Sequence, residues 1–127
     1  MPLKIFLIED NEMLRNELRE ALEEVVPVEV VGSANNERTA VHWLSSHDGG
    51  WDVAIVDLQL KQGSGIAALE WCRTRRKDQR VVVLSNYLTE DVRTRCLALG
   101  ADAAFDKSHD IDKLLDYCRE RHDAVRA

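Results

Sequence analysis

Short runs in which almost every residue is apolar, each followed by a longer stretch of helical period, constrain this chain more than any other feature. The runs are Leu3 to Ile8, Val28 to Val31, Val53 to Val56, Val81 to Leu84 and Ala103 to Phe105. A strand with one wet face alternates apolar and polar residues. Runs apolar at every position belong to strands covered on both faces, as in a parallel sheet whose crossover helices lie above and below it.

The segments between the runs read as those helices. Leu14, Leu18, Ala21, Leu22 and Val25 keep the 3.6-residue spacing, with Asn11 as a cap at the start and Pro27 as the stop. Ala40, Val41 and Leu44 predict a shorter second helix, capped at Asn35 or Asn36 and ended by Gly49 and Gly50. A third opens at Ile66 after the Lys61 to Gly65 loop, with Ser64 as its cap. The fourth starts at Thr89 and stops at Gly100; the fifth begins at Asp110 or Asp112 and runs through Ile111, Leu114, Leu115 and Cys118.

Right-handed crossovers wind such βα units both ways from a central strand, so the expected architecture is a doubly wound (βα)5 three-layer α/β/α sandwich with five parallel strands. At 127 residues, 45% apolar and 31% charged, the chain is expected to form one domain spanning residues 1–127 with no output domain. The ending RERHDAVRA closes the fifth helix without a linker-like tail, in keeping with a stand-alone unit.

Seventeen Lys and Arg against 23 Asp and Glu leave a net charge of −6, which disfavours direct DNA binding and attraction to anionic membranes. Cys72, Cys96 and Cys118 sit inside apolar helical patterns with no C-x-x-C pair and read as buried thiols. The apolar run before Glu9 is too short for a signal-peptide core or a bilayer span, so a cytoplasmic location is expected.

In open α/β sheets the ligand sits beyond the carboxyl ends of the strands. The first strand ends in Glu9 and Asp10, the third in Asp57, the fourth in Ser85, and the fifth reaches Lys107 just after Asp106. Three carboxylates together repel one another unless a cation intervenes, and an all-oxygen donor set suits Mg²⁺ or Mn²⁺. No imidazole or thiol lies close to these ends except His109, which argues against zinc. A carboxylate beside such an ion can attack phosphorus, and Asp57, followed by a loop with Gly63 and Gly65, is the candidate nucleophile. Lys107 would neutralise a phosphoryl oxygen and Ser85 would donate a hydrogen bond to another.

The order of ED at the first strand, D in AIVDLQLKQGSG, LS at the fourth and FDKS at the fifth resembles a response regulator receiver domain, over essentially the whole chain. The resemblance implies a flavodoxin-like sheet and a two-component phosphorelay, with phosphoryl transfer from a histidine kinase or histidine phosphotransfer protein to Asp57. It implies Mg²⁺ held by Asp10, Asp57 and the backbone carbonyl of Gln59, with Glu9 acting through a water. Ser85 takes the place of the family's switch Thr/Ser and Lys107 that of its characteristic Lys, while Gln59 and Tyr87 stand where residues influence hydrolysis. Bulky Tyr87 implies a phosphorylated state that decays slowly. The output would be a protein partner, a relay or a homodimer, using the face of the fourth helix, fifth strand and fifth helix. Such a domain catalyses only its own phosphorylation and dephosphorylation.

Three positions depart from the family pattern: Ser108 replaces a frequent Pro, Ala104 a frequent aromatic, and Lys61 a frequent Pro in the loop after Asp57. Phe105, next to Ala104, is expected to face the opposite side of its strand. Two alternative functions remain: a phosphorylation-independent pseudo-receiver, which the five filled chemical positions disfavour and Ala104 keeps open, and a small Mg²⁺-dependent phosphatase, which Gln59 disfavours because such enzymes usually place an acid there. The stretch Arg73, Arg75, Arg76, Lys77 and Arg80 reads as a solvated helix end, and Trp43, Trp51 and Trp71 as residues packing helices on the sheet. His42, His47, His109 and His122 show no ligand spacing.

Overall fold

A computed structural model of the chain describes residues 1–86 and 88–126. The elements alternate without exception: β1 (Leu3–Ile8), α1 (Glu12–Val25), β2 (Val28–Ala34), α2 (Glu37–Ser46), β3 (Val53–Asp57), α3 (Gly65–Trp71), β4 (Arg80–Ser85), α4 (Glu90–Ala98), β5 (Ala103–Asp106) and α5 (Ile111–Arg126). A single 3₁₀ turn, Cys72–Thr74, follows α3. All strand pairs are parallel, in the order β2-β1-β3-β4-β5. The chain therefore reverses its winding between β1 and β3, and the crevice opens at their carboxyl ends.

Period two divides the strand residues between two cores. Leu3, Ile5 and Leu7, Val53 and Ile55, and Val82 and Leu84 pack on one face against Leu18 and Leu22 of α1 and Leu114 and Cys118 of α5. Phe6 and Ile8, Ala54 and Val56, and Val81 and Val83 pack on the other against α2, α3 and Cys96 of α4. Phe105 joins the first face, with its ring edge-on to Tyr117 at 5.9 Å, while Ala104 is buried on the second. Side chains of Asn11, Asn36, Ser64 and Thr89 accept the backbone N–H bonds that cap α1 to α4.

Some boundaries and packing roles differ from expectation. The edge strand β2 runs on to Ala34 because the ladder with β1 continues through Ile8↔Ala34, past a bulge between Ile5 and Phe6. Gly32 is needed there: a Cβ would lie 2.4 Å from Trp43 Nε1, whose indole stacks on Phe6 with centroids 4.0 Å apart. Helix α2 ends at Ser46, short of Gly49, because Ser45 and Ser46 hydroxyls bond back to the His42 carbonyl and His47 Nδ1 lies 2.8 Å from the Trp43 carbonyl. Trp51 is buried and Trp43 packs partly buried against the same core, but Trp71, the last residue of α3, is 49% exposed.

Arg75 also departs from the reading of a solvated helix end. Its guanidinium donates to the carbonyls of Gln79 (3.1 Å), Cys72 (2.9 Å) and Gly100 (2.8 Å) and to Asp102 Oδ2 (2.7 Å), tying the α3–β4 connection to the α4–β5 turn. With its side chain only 13% exposed, it stands in for water at carbonyls that would otherwise be unpaired. Arg75→Ala is expected to lower stability by about 3 kcal/mol, read as a drop in the urea midpoint. A midpoint within error of wild type would show these bonds to be replaceable by water.

Candidate functional site

The strand register assembles the site. Asp57 is opposite Leu84, Ser85 is opposite Asp106, and Ile8 is opposite Val56, so the residues that follow emerge at one rim of the sheet. Period two then carries Leu7 to Glu9, Ile55 to Asp57 and Phe105 to Lys107 on the α1/α5 side. Lys107 Nζ lies 2.8 Å from Asp57 Oδ2 and 2.7 Å from Glu9 Oε1. The Lys107 N–H donates to the Ser85 carbonyl at 3.0 Å, which fixes where β5 delivers the ammonium.

The remaining oxygens are held from the backbone. Asp57 Oδ1 accepts from the Gln59 N–H (3.0 Å), Glu9 Oε2 from the Asn11 N–H (3.1 Å), and Asp10 Oδ2 from the Lys61 N–H (2.6 Å). Lys61 matters here because a proline at that position would have no N–H to give Asp10. Arg15 donates to the Glu9 carbonyl at 2.8 Å and steadies the turn out of β1. Past Asp57 the loop closes with the Ser64 hydroxyl and the Gly65 N–H on the Leu58 carbonyl, and with Glu37 Oε1 accepting from the Ser64 N–H. Arg15 and Glu37 carry no signal in the sequence, since their partners are set by tertiary proximity.

Glu9 and Asp57 are 1% and 2% exposed. Burial is the main influence on Glu9 and raises its pKa; the Asp57 charge acts the same way, and the Lys107 ammonium and the Asn11 N–H oppose them without reversing the shift. For Lys107, burial alone would lower the pKa, but the bonds and charges of Asp57 and Glu9 together outweigh it and raise it, so the side chain stays an ammonium.

Oxygens of Glu9, Asp10 and Asp57 all come within 4.8 Å of one another. Glu9 Oε1 is buried and, apart from its charge contact with Lys107, accepts no well-directed hydrogen bond. With all three acids ionised, one ammonium leaves a net −2 in a site lined by oxygen. A hard divalent cation fits that donor set.

Ser85 is at the rim but turned aside. By parity it continues Val81 and Val83 toward the α2/α3/α4 side, and its hydroxyl donates to the Asn86 carbonyl at 2.9 Å. At the usual aromatic position, buried Ala104 gives its carbonyl to Arg93 Nη1 of α4 at 2.6 Å. Tyr87 lies outside the described residues.

The family model of the response regulator receiver domain matches residues 5–119. The chain belongs to that family. This receiver domain is 24% identical over 122 residues to the response regulator protein VraR of Staphylococcus saprophyticus, covering 96% of this chain and 57% of that protein. It is 29% identical over 114 residues to the nitrate/nitrite response regulator NarL of Escherichia coli, covering 90% of this chain and 52% of that protein. It thus spans about half the length of the curated relatives it matches. Its fold superposes on the response regulator domain of Thermotoga maritima CheB with a TM-score of 0.82 at 21% identity, covering 97% of this chain and 98% of that one. It is a receiver domain of two-component signalling, as its motifs imply. Among the described residues no helix is long and apolar enough to cross a membrane.

Proposed function

We propose that Asp57 is the phosphoacceptor of this receiver, taking a phosphoryl group from a histidine kinase or histidine phosphotransfer protein. The observation that supports this most is the buried Asp57 carboxylate, 2.8 Å from the Lys107 ammonium and clustered with Glu9 and Asp10. An Asp57 oxygen attacks phosphorus, the bond from phosphorus to the donor imidazole nitrogen breaks, and that nitrogen keeps the electron pair and takes a proton. Lys107 offsets charge on a phosphoryl oxygen, and Ser85 reaches another after its hydroxyl rotates away from the Asn86 carbonyl. Asp10, Asp57 and the Gln59 carbonyl would hold Mg²⁺ or Mn²⁺, with Glu9 bound to it through water; the ion supplies charge neutralisation of the phosphoryl oxygens. The domain acts only on its own phosphorylation state, with Gln59 and Tyr87 shaping access of the hydrolytic water.

The readout belongs to the α4–β5–α5 face. Only Cys96 of α4 is fully buried, so this helix is the one least anchored to the sheet, and Arg93 ties it to β5. A shift of Ser85 and its loop would therefore move α4 first and change the surface offered to a downstream protein or a second copy. The test is incubation with a small acyl phosphate, with and without Mg²⁺, followed by borohydride trapping and peptide mass mapping. The expected result is Mg²⁺-dependent conversion of Asp57 to homoserine, the product left when hydride reduces its acyl phosphate and phosphate departs. Modification of a different acid would move the phosphoacceptor role to that residue, and no uptake under either condition would favour a protein-binding domain that works without phosphorylation.

A further inference from the structure

The opposite end of the sheet holds a second charged site, roughly 17 Å away along β4. Residues 73–80 carry five cations and one acid, a net +4 inside a chain of net −6. Arg73, Arg75, Arg76, Lys77, Arg80 and Asp102 line a cavity of about 300 Å³ there. The two acids nearby are already committed: Asp102 Oδ2 takes Arg75 and the Val81 N–H, and Asp78 pairs with Arg76 at 3.2 Å. Among the described residues the Arg80 guanidinium bonds only to the backbone carbonyls of Lys77 and Gln79. The Arg73 guanidinium, whose stem lies against Gly100, and the Lys77 ammonium have no hydrogen-bond or ion-pair partner among the described residues. Three cations without a carboxylate partner thus converge on one cavity, whose walls Arg75 holds in place through four acceptors.

Such an arrangement asks for a compact, multiply charged anion. No aromatic ring lines the cavity, so recognition rests on charge and on the guanidinium forks. Because the rest of the chain carries net −10, an extended polyanion leaving the cavity would cross acidic surface, whereas an anion shorter than a Debye length would not. We propose that this cavity binds a condensed phosphate, either free or as the phosphate tail of a nucleotide.

The experiment is calorimetric titration of sodium tripolyphosphate in metal-free buffer into wild type, the double variant Arg73→Ala/Lys77→Ala, and a charge-matched control, Lys113→Ala/Arg119→Ala on α5. All four positions are exposed, so neither double variant threatens the fold. Saturable one-to-one binding is expected, weakened about tenfold or more in the first variant and less than about twofold in the control. Adenosine triphosphate binding as tightly as tripolyphosphate would assign recognition to the phosphates alone, and tighter binding would add the nucleoside. Equal weakening by both double variants, absence of saturation, or tighter binding of a duplex oligonucleotide would overturn the proposal. Titration of the Asp57→Asn variant separates this site from the phosphoacceptor pocket, since binding there should be unchanged.

Discussion

Asp57→Asn is expected to take up no phosphoryl group from an acyl phosphate and yet to fold at least as stably as wild type in metal-free buffer. The first half follows from chemistry: a neutral amide oxygen lacks the charge to attack phosphorus. The second follows from the charge count at the rim. Three carboxylates have oxygens within 4.8 Å of one another and only Glu9 and Asp57 pair with the one ammonium, so removing the Asp57 charge relieves repulsion while the Glu9 pair with Lys107 at 2.7 Å survives. The amide oxygen can still accept from Lys107 or the Gln59 N–H. Lys107→Ala should behave in the opposite sense, because it leaves two nearly buried carboxylates without their cation, at a cost of about 3 kcal/mol. If Asp57 helps to hold Mg²⁺ as proposed, the added ion should raise the melting temperature of the wild type more than that of the Asn variant, whose oxygen has lost its charge. Intact mass and thermal melts with and without Mg²⁺ check each part. Phosphoryl uptake by the Asn variant would remove Asp57 from its role. A large loss of stability in that variant would show that the site is held together by Asp57 rather than strained by it.

The contrast between these variants also explains which parts of the molecule could be read from sequence. Glu9, Asp57 and Lys107 were legible because each sits where an all-apolar run emerges, and period two then puts them on one face; the structure joins them through a single ammonium. The orientation of the Ser85 hydroxyl was not legible, because a neighbouring carbonyl competes for it and the outcome depends on local backbone geometry. The role of Arg75 is hidden from the sequence for a different reason: two of its acceptors, Gly100 and Asp102, lie 25 and 27 positions away and meet it only once the sheet is assembled. Trp71 shows the reverse case, an aromatic expected to pack a helix on the sheet that stays about half exposed. Patterns of burial along a single element transfer well from sequence, and side-chain partners drawn from two connections do not.

Gly65→Ala tests how far the loop after the proposed phosphoacceptor is built around Asp57 itself. Gly65 opens α3, and its N–H donates to the Leu58 carbonyl at 3.2 Å, so the helix start folds back over the end of β3. A Cβ at this position would lie 2.1 Å from the Asp57 carbonyl oxygen and 2.8 Å from Val56 Cγ1. The first of these neighbours is backbone in a central strand paired on both sides, which cannot yield without breaking ladder hydrogen bonds. The strain must go into α3, lifting the loop that holds Asp10 through the Lys61 N–H. The expected cost is about 3 kcal/mol, a fall of roughly 12 °C in Tm for a domain of this size, together with phosphoryl uptake slowed by about tenfold or more. Gly50→Ala is the matched comparison, since its Cβ meets the His47 carbonyl at 3.3 Å in an exposed turn and should change both quantities little. If Gly65→Ala lost stability but kept the rate of phosphoryl uptake, Asp10 would be positioned independently of this loop, and the Lys61 N–H contact would be a consequence of the site rather than part of its construction.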